Sequence, residues 1–147
     1  MQLILRRATM DDGEHLLRWR NDPATRENSF NSDTVSRESH FCWLEVVLAN
    51  ANRDLYIAEV DNIPVGTLRI DRDASGQSEL SWTVAPESRG RGVGKAMLQA
   101  VRVLYEGELV ALIKKENIAS IKMATTSGFE LFKEENGTLY YRSLPTR

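Results

Sequence analysis

A short basic, glycine-rich segment is the part of the sequence best suited to chemistry. It reads Arg89-Gly90-Arg91-Gly92-Val93-Gly94-Lys95 and lies between a strand-like segment ending near Val84 and an amphipathic, helix-like segment. The unsatisfied amides and the dipole of a helix N-terminus bind phosphate groups, and glycine lets the backbone approach a pyrophosphate closely. The segment therefore predicts a phosphate-binding turn, with a solvated basic loop as the alternative.

Two common nucleotide-binding motifs do not account for this turn. A Walker A loop requires Ser or Thr after its Gly-Lys pair, whereas Ala96 follows Lys95 here. A Rossmann fingerprint requires G-x-G-x-x-G at the start of an N-terminal β-α-β unit, whereas Gly90, Gly92 and Gly94 are spaced differently and open no such unit. If the turn binds phosphate, it does so within another fold.

The bulk properties of the chain limit where it works and what it binds. Its 147 residues fit one domain spanning residues 1–147, and its net charge is -2. So small a charge gives no reason to expect nucleic acid or a membrane as a partner, and any anion site must be local. The apolar run from Leu3 to Leu5 is shorter than a signal-peptide core, and no segment approaches a membrane span. We therefore expect a cytoplasmic protein.

Residues that bind metals or form disulfides are few. His15, His40 and Cys42 offer no ligand cluster at useful spacing, so we expect no metal. A single cysteine also rules out an internal disulfide. Because Cys42 lies between Phe41 and Trp43, we expect it to pack in the interior rather than to react.

Hydrophobic periodicity and turn residues predict the elements that must hold the basic turn in place. In chain order these are strand 3–7, helix 11–20, a helix from 36, strands 55–60, 65–70 and 79–85, a helix after the basic turn, strand 109–113, helix 117–128, and strands 129–134 and 138–143. Phe41, Leu44 and Leu48 recur at helical spacing and predict one buried helix face. Asn136-Gly137 is a strong hairpin signal. The alternation predicts an α/β fold with a mixed sheet covered by helices.

Three motifs in order resemble the GNAT superfamily of N-acetyltransferases. Arg89 to Gly94 matches the pattern [QR]-x-x-G-x-[GA], the preceding strand ends in Val84-Ala85-Pro86, and Asn117 precedes a helix followed by Gly128-Phe129. The resemblance spans Leu3 to about Ser143. It implies one domain with a central, mixed, mostly antiparallel twisted sheet of about seven strands flanked by about four helices. It also implies acetyl transfer from acetyl-CoA, as cosubstrate, to a primary amine.

The same resemblance implies how acetyl-CoA binds. Its pyrophosphate is expected on the backbone of Arg89, Gly90, Arg91, Gly92, Val93, Gly94 and Lys95. The pantetheine arm is expected to lie like an extra strand beside Trp82 to Val84, with a further contact from Asn117. The backbone N–H of Val84 would polarise the thioester carbonyl and stabilise the tetrahedral oxyanion.

The N-terminal half, which usually shapes the acceptor site in such proteins, carries clustered Arg and Trp residues. Their pattern resembles acetyltransferases of amino-sugar nucleotides in bacterial surface-glycan pathways such as pseudaminic acid synthesis, and more loosely ribosomal-protein Nα-acetyltransferases. Candidate acceptor contacts are Arg20, Arg26, His40 and Trp43, because Trp stacks on a sugar or base and Arg holds a diphosphate. Core packing for the tryptophans and a solvated face for the arginines are the alternatives.

Other acceptors and roles stay open at this point. A protein N-terminus or a lysine side chain is the alternative acceptor, and a CoA-binding module without turnover is the alternative to an enzyme. We expect a small-molecule amine as partner, and either a monomer or a homodimer.

The general acid and base of many GNAT enzymes have no counterpart at the usual positions. Ala124 stands where such enzymes often place a tyrosine, and Leu112 stands where some place a glutamate. Candidate replacements are Glu79, Ser81 or His40, acting through water, as the base and Tyr140 or Tyr141 as the acid, with ordinary sheet and surface roles as the alternative. A CoA thiol with a pKa near the roughly 8.5 of cysteine leaves readily as a thiolate, so the reaction can tolerate the loss of the acid. A sugar amine is less basic than lysine, whose pKa is roughly 10.4, so more of it is neutral, and we expect activity on weakly basic amines and poor activity on lysine side chains near pH 7.

Overall fold

The computed structural model describes residues 1–143. Its strands are β1 (Leu3–Arg7), β2 (Arg53–Val60), β3 (Ile63–Arg72), β4 (Ser78–Val84), β5 (Leu109–Lys114), β6 (Phe129–Glu135) and β7 (Thr138–Ser143). Its α-helices are α1 (Gly13–Arg20), α2 (Pro23–Glu27), α3 (Arg37–Ala49), α4 (Val93–Leu104) and α5 (Ile118–Thr126). Short 3-10 turns at Met10–Asp12 and Pro86–Ser88 precede α1 and α4.

The strands form one sheet in the order β1-β2-β3-β4-β5-β7-β6. Every neighbouring pair is antiparallel except β4 and β5, which are parallel. The predicted hairpin at Asn136-Gly137 is confirmed, because both residues adopt the positive φ that a tight turn between twisted strands requires. The mostly antiparallel, seven-stranded mixed sheet expected from the sequence is therefore confirmed.

Each face of the sheet carries its own hydrophobic core. On one face α4 and α5 pack over the sheet, and buried residues such as Leu80, Met97 and Val101 meet there. On the other face α1 and α3 pack over β2, around Trp19, Leu44 and their neighbours. Because side chains alternate along a strand, β4 directs Leu80, Trp82 and Val84 toward α4 and its odd-numbered side chains toward the α1 and α3 face.

The helices differ from the sequence expectation in number. Five α-helices flank the sheet instead of about four, because the polar stretch 24–33 contains α2. Pro23 occupies the first turn of this helix, and Asp22 caps it by accepting a hydrogen bond from the Thr25 amide at 3.1 Å. None of the α2 residues is buried, so polar contacts rather than core packing hold it in place.

The buried face of α3 also differs from the expected one. His40, Leu44 and Val47 are buried, whereas Leu48 is 37% exposed and Cys42 is exposed. The expected face is therefore confirmed at Leu44, only partly buried at Phe41 and wrong at Leu48, where Val47 is buried instead. The expectation that Cys42 packs in the interior was wrong. No helix within residues 1–143 is long and apolar enough to cross a membrane.

Candidate active site

The parallel strands β4 and β5 separate soon after they meet. They pair at Ser78–Leu109 and Glu79–Val110, and the register of the described chain continues no further. The Ala85 amide donates to the Val65 carbonyl at 2.8 Å, so it points toward the β3 side. Successive amides of a strand point to opposite edges. The N–H groups of Val84 and Trp82 therefore point into the gap between the two strands.

Two cavities meet at this gap. One, the turn cavity, has a volume of about 560 Å³ and lies beside the start of α4 and α5. The other, the α3 cavity, has a volume of about 620 Å³ and lies between the sheet and the α1 and α3 side. Both are lined by Asn28, Ser29, Trp82, Thr83, Asn117 and Ser120. The shared lining places the two cavities side by side between the basic turn and the opposite face of the sheet, and we refer to the adjoining pair as the channel.

The backbone of the basic turn is built to receive an anion. Gly90 and Gly92 have φ of 74° and 77°, the left-handed region that favours glycine, and a Cβ on either would meet nothing within 4 Å. Gly92 precedes α4, and the first helical hydrogen bond runs from the Ala96 amide to the Gly92 carbonyl. The amides of the residues between them have no partner within the helix. They line the turn cavity, so this end of the channel fits a pyrophosphate.

Gly94 is explained by packing as well as by the cavity. A Cβ at this position would lie 2.3 Å from the Met123 sulfur, so the absence of a side chain lets α4 approach α5. A bulky residue at Gly94 would therefore disturb the fold, and Gly92 is the cleaner position for testing ligand binding.

The three cations of the turn are placed differently. Arg89 donates from Nη2 to Asp22 Oδ2 at 2.6 Å and to Thr25 Oγ1 at 3.0 Å, which ties the turn to α2. This hydrogen bond is the main reason that the pKa of Asp22 is lowered. Lys95 lines the turn cavity, whereas Arg91 is exposed and lies outside the linings of both cavities. Arg89 and Lys95 are therefore brought to the turn cavity, and Arg91 is not.

Asn117 lies where the two cavities join. Its Oδ1 accepts a hydrogen bond from the Ser120 amide at 3.2 Å, which caps the N-terminus of α5. The residue also lines both cavities. Its position suits the predicted contact with a ligand that follows the channel, although its oxygen already serves the helix cap.

Three of the four predicted acceptor contacts line the α3 cavity: Arg20, His40 and Trp43. The fourth, Arg26, does not. Its Nε donates to the Asn21 carbonyl at 3.2 Å and its Nη1 to the Ser32 carbonyl at 3.3 Å, so it fastens the loop after α2. Arg20 likewise donates to the Asn31 carbonyl at 3.0 Å.

His40 is buried more deeply than is usual for a side chain that contacts a substrate directly. It is 3% exposed, and its Nε2 lies 3.0 Å from the Gly13 carbonyl oxygen. A carbonyl only accepts, so Nε2 carries the proton. The pKa of His40 is lowered, chiefly by burial, which keeps the ring neutral. The ring stacks on half-buried Trp43 at 5.6 Å, so His40 supports that wall of the cavity.

Glu79 is the carboxylate in the lining of the α3 cavity. It is half-buried and forms no hydrogen bond or ion pair within the described part of the chain. Burial raises its pKa, and the negative charge of Asp71 raises it further. A carboxylate with a raised pKa in a cavity is suited to accept a proton near neutral pH.

The structure does not bring Tyr140 to this group. Tyr140 lies opposite Leu112 in the β5–β7 register but lines neither cavity, and its ring packs against Phe132 and Lys133. Tyr141 is buried in the core on the other face. Sequence reasoning also missed Arg69, which lines the cavity with its guanidinium carbon 5.6 Å from the Trp43 ring. Its alternation with Leu68 and Ile70 on β3 was the available signal.

Comparison with known proteins identifies the family. The model of the acetyltransferase (GNAT) domain family matches residues 2–130. The chain belongs to the GNAT acetyltransferase family, which makes it an acetyl-CoA-dependent N-acetyltransferase. No curated protein sequence matches the chain significantly.

Solved structures confirm the fold at low sequence identity. The aminoglycoside acetyltransferase AAC(6')-Ib with coenzyme A is 19% identical, with 97% of this chain and 94% of that chain covered and a TM-score of 0.80. The ribosomal L7/L12 alpha-N-protein acetyltransferase RimL with coenzyme A is 17% identical, with 99% and 95% of the two chains covered and a TM-score of 0.84. Spermidine N-acetyltransferase from Vibrio cholerae with CoA and spermine is 14% identical, with 96% and 93% covered and a TM-score of 0.82. At these identities the likeness concerns the fold.

Proposed function

We propose that this enzyme acetylates the primary amine of an amino sugar nucleotide bound in the α3 cavity. The observation that carries the proposal is that the turn cavity and the α3 cavity adjoin at the gap between β4 and β5 and share six lining residues. In this arrangement acetyl-CoA enters from the turn, and the amine approaches the thioester from the opposite face of the sheet. Both substrates are metabolites of the cytoplasm, so we place the enzyme in that compartment.

The turn and the open edge of β4 hold acetyl-CoA in this proposal. The pyrophosphate binds the free amides at the start of α4, with charge from Arg89 and Lys95. The pantetheine arm follows the amides of Val84 and Trp82 along the gap. The arm then passes Asn117 at the junction of the two cavities.

Strand geometry supports one choice of the amide that serves the thioester carbonyl. At about 3.3 Å per residue, Glu79 lies about 16 Å from Val84 and about 10 Å from Trp82 along β4. A carboxylate side chain with one bridging water spans the shorter distance and not the longer. We therefore assign the Trp82 amide to the oxyanion and the Val84 amide to the pantetheine arm, which revises the sequence expectation for Val84.

The chemical step needs a base and a stabilised oxyanion. The amine nitrogen attacks the thioester carbonyl carbon, the Trp82 N–H stabilises the developing oxyanion, and the carbon–sulfur bond breaks to release the CoA thiolate. Glu79 takes the proton of the amine through water and passes it to solvent. A thiolate leaves without an acid of its own, which is consistent with the position of Tyr140 outside the channel.

The charge of the α3 cavity supports an acceptor that carries an anionic group. Its ionisable lining residues are Arg20, Arg69, Glu79 and neutral His40; Asp71 pairs with Arg69, so Arg20 is the lining cation without an ion pair in residues 1–143, and Glu79 is the single lining carboxylate. Such a lining disfavours polycations, including the aminoglycosides and spermidine named with the similar structures. Trp43 and exposed Phe30 add aromatic surface on which a sugar or base can stack.

An acetyl-CoA consumption assay over a panel of amines tests this proposal. The panel contains amino sugar nucleotides, the corresponding free amino sugars, spermidine, an aminoglycoside and peptides with free N-termini. We expect the highest kcat/KM for an amino sugar nucleotide, and Arg20→Gln should remove most of its advantage over the free sugar. Preference for peptides would instead identify a protein acetyltransferase, and tight CoA binding without turnover of any amine would identify a binding module.

A further inference from the structure

Asp71 lies directly across from Glu79 on the neighbouring strand. The β3–β4 register pairs the two residues, and both side chains occupy the α3 face of the sheet. Side chains directly opposite each other in an antiparallel pair have Cβ atoms about 5 Å apart. Two carboxylates at this separation repel each other when both are ionised.

The two carboxylates differ in their partners. Asp71 accepts hydrogen bonds from Arg53 Nε at 2.9 Å and from Arg69 Nε at 2.9 Å and 3.0 Å to its two oxygens. Glu79 has no such partner within residues 1–143 and faces the cavity. The arginines therefore hold Asp71 in place beside a carboxylate that stays free to exchange protons.

We propose that Asp71, positioned by Arg53 and Arg69 directly across from Glu79, strengthens Glu79 as a proton acceptor. The inference rests on the proposed role of Glu79 as base. Asp71 touches neither substrate and acts through Glu79, so it is a positioning residue. Removing its charge makes Glu79 lose its proton at lower pH.

All charged groups around Glu79 enter this balance. Burial raises the pKa of Glu79 most, Asp71 raises it next, Arg69 lowers it and Asp73 in the following loop raises it. Arg53 on β2 acts through Asp71, and Arg20 of α1 and neutral His40 of α3 line the same cavity. A base is active above its pKa, so a lower pKa extends activity toward acid.

Two substitutions should move the acidic limb of the kcat/KM profile in opposite directions. Asp71→Asn removes the repelling charge, so the limb moves to lower pH. Arg53→Gln removes one guanidinium that offsets Asp71, so the limb moves to higher pH. At a pH below the midpoint of the wild-type limb, we expect kcat/KM to rise about twofold or more in Asp71→Asn and to fall in Arg53→Gln, with the plateau above the limb unchanged.

A matched control is available on β2. Asp54 is also held by two arginines, Arg7 and Arg72, each at 2.7 Å, but it lies on the other face of the sheet. Asp54→Asn repeats the chemical change and the loss of two charged hydrogen bonds. It should leave the acidic limb where it is.

Carbon NMR of protein labelled at glutamate carboxyls reads the titration of Glu79 without turnover, with Glu79→Gln assigning the signal. We expect the midpoint to fall in Asp71→Asn and to rise in Arg53→Gln, with the kcat/KM limb following. An unmoved midpoint in both variants would overturn the coupling, while loss of rate in Glu79→Gln would still support the base. A midpoint that moves without the kinetic limb, or full activity of Glu79→Gln, would overturn the base and with it this inference.

Discussion

Replacing Asp22 by asparagine should tighten acetyl-CoA binding. Asp22 caps α2 through the Thr25 amide and also accepts from Arg89 in the turn where we propose that the pyrophosphate binds. Asparagine caps a helix as well as aspartate does, so the substitution keeps α2 and removes the charge. A pyrophosphate and Asp22 compete for the same guanidinium, and the variant ends that competition.

The exposure of the pair sets the size of the effect. The side chain of Arg89 is 41% exposed and that of Asp22 is 18% exposed. Partly exposed ion pairs contribute about 0.2–1 kcal/mol because solvent screens them. If phosphate binding breaks the Arg89–Asp22 pair, the wild-type protein loses this energy on binding and Asp22→Asn does not. The acetyl-CoA affinity of the variant should therefore be about 1.5- to 5-fold higher.

Calorimetry with acetyl-CoA at low and high salt measures this change. The gain should shrink at high salt, because screening weakens the pair in the wild-type protein. It should also shrink in acid: Arg89 lowers the pKa of Asp22, so the ion pair is complete above the unfolded-state pKa and is lost as pH falls through the folded-state value. Glu106→Gln is the control, since it makes the same charge change at the far end of α4, about 18 Å from its N-terminus.

Weaker binding of acetyl-CoA by Asp22→Asn would refute this reasoning. It would mean that Asp22 holds Arg89 in the orientation that the phosphate needs, so that the pair assists binding rather than competing with it. An equal gain in acetyl-CoA affinity in Asp22→Asn and Glu106→Gln would show that the effect comes from net charge alone.

Three further outcomes are expected. Gly92→Val should weaken acetyl-CoA binding at least tenfold, as measured by calorimetry. Gly76 has a similar φ in an open loop, so Gly76→Val should lower the free energy of unfolding by about 1–2 kcal/mol, as Gly92→Val does, but should leave acetyl-CoA binding unchanged. His40→Ala should lose more turnover than Tyr140→Phe, because His40 supports the cavity wall and Tyr140 lies outside it; the reverse order would point to an acid at Tyr140. EDTA should not affect turnover, since residues 1–143 hold no group of three or more metal-ligating side chains; loss with EDTA and rescue by Zn²⁺ would contradict this.

The parts of the molecule that the sequence predicts well are those whose determinants are local. The basic turn is read from adjacent residues, because glycines at positive φ and a helix start lie within a few positions of each other. The Asn136-Gly137 hairpin is local in the same way. The gap between β4 and β5 is not, since it depends on where strands distant in the chain stop pairing. The packing of Gly94 on Met123 depends equally on a contact between separate helices.

The orientation of α3 shows a different limit. Apolar residues of α3 lie on more than one side of the helix, so the hydrophobic periodicity is weak and more than one face fits the pattern. The choice falls to tertiary contacts, chiefly the Gly13 carbonyl that satisfies buried His40. In this orientation Cys42 and Leu48 are exposed, although the spacing of Leu48 and the apolar neighbours of Cys42 had favoured burial.

The choice of acceptor depends on residues that are the most widely separated along the chain. The walls of the α3 cavity come from α1, the loop after α2, α3, four strands and the start of α5, and their charges are set by pairs such as Arg69 with Asp71. Similar structures with TM-scores of 0.80 to 0.84 carry names with an aminoglycoside, a ribosomal protein and spermidine at identities of 14% to 19%. One backbone frame therefore accommodates different acceptors, and overall likeness cannot choose among them. The choice rests on side chains: Arg20, Arg69 and Glu79 line the cavity, and because Asp71 already pairs with Arg69, our proposal of an anionic acceptor depends chiefly on Arg20.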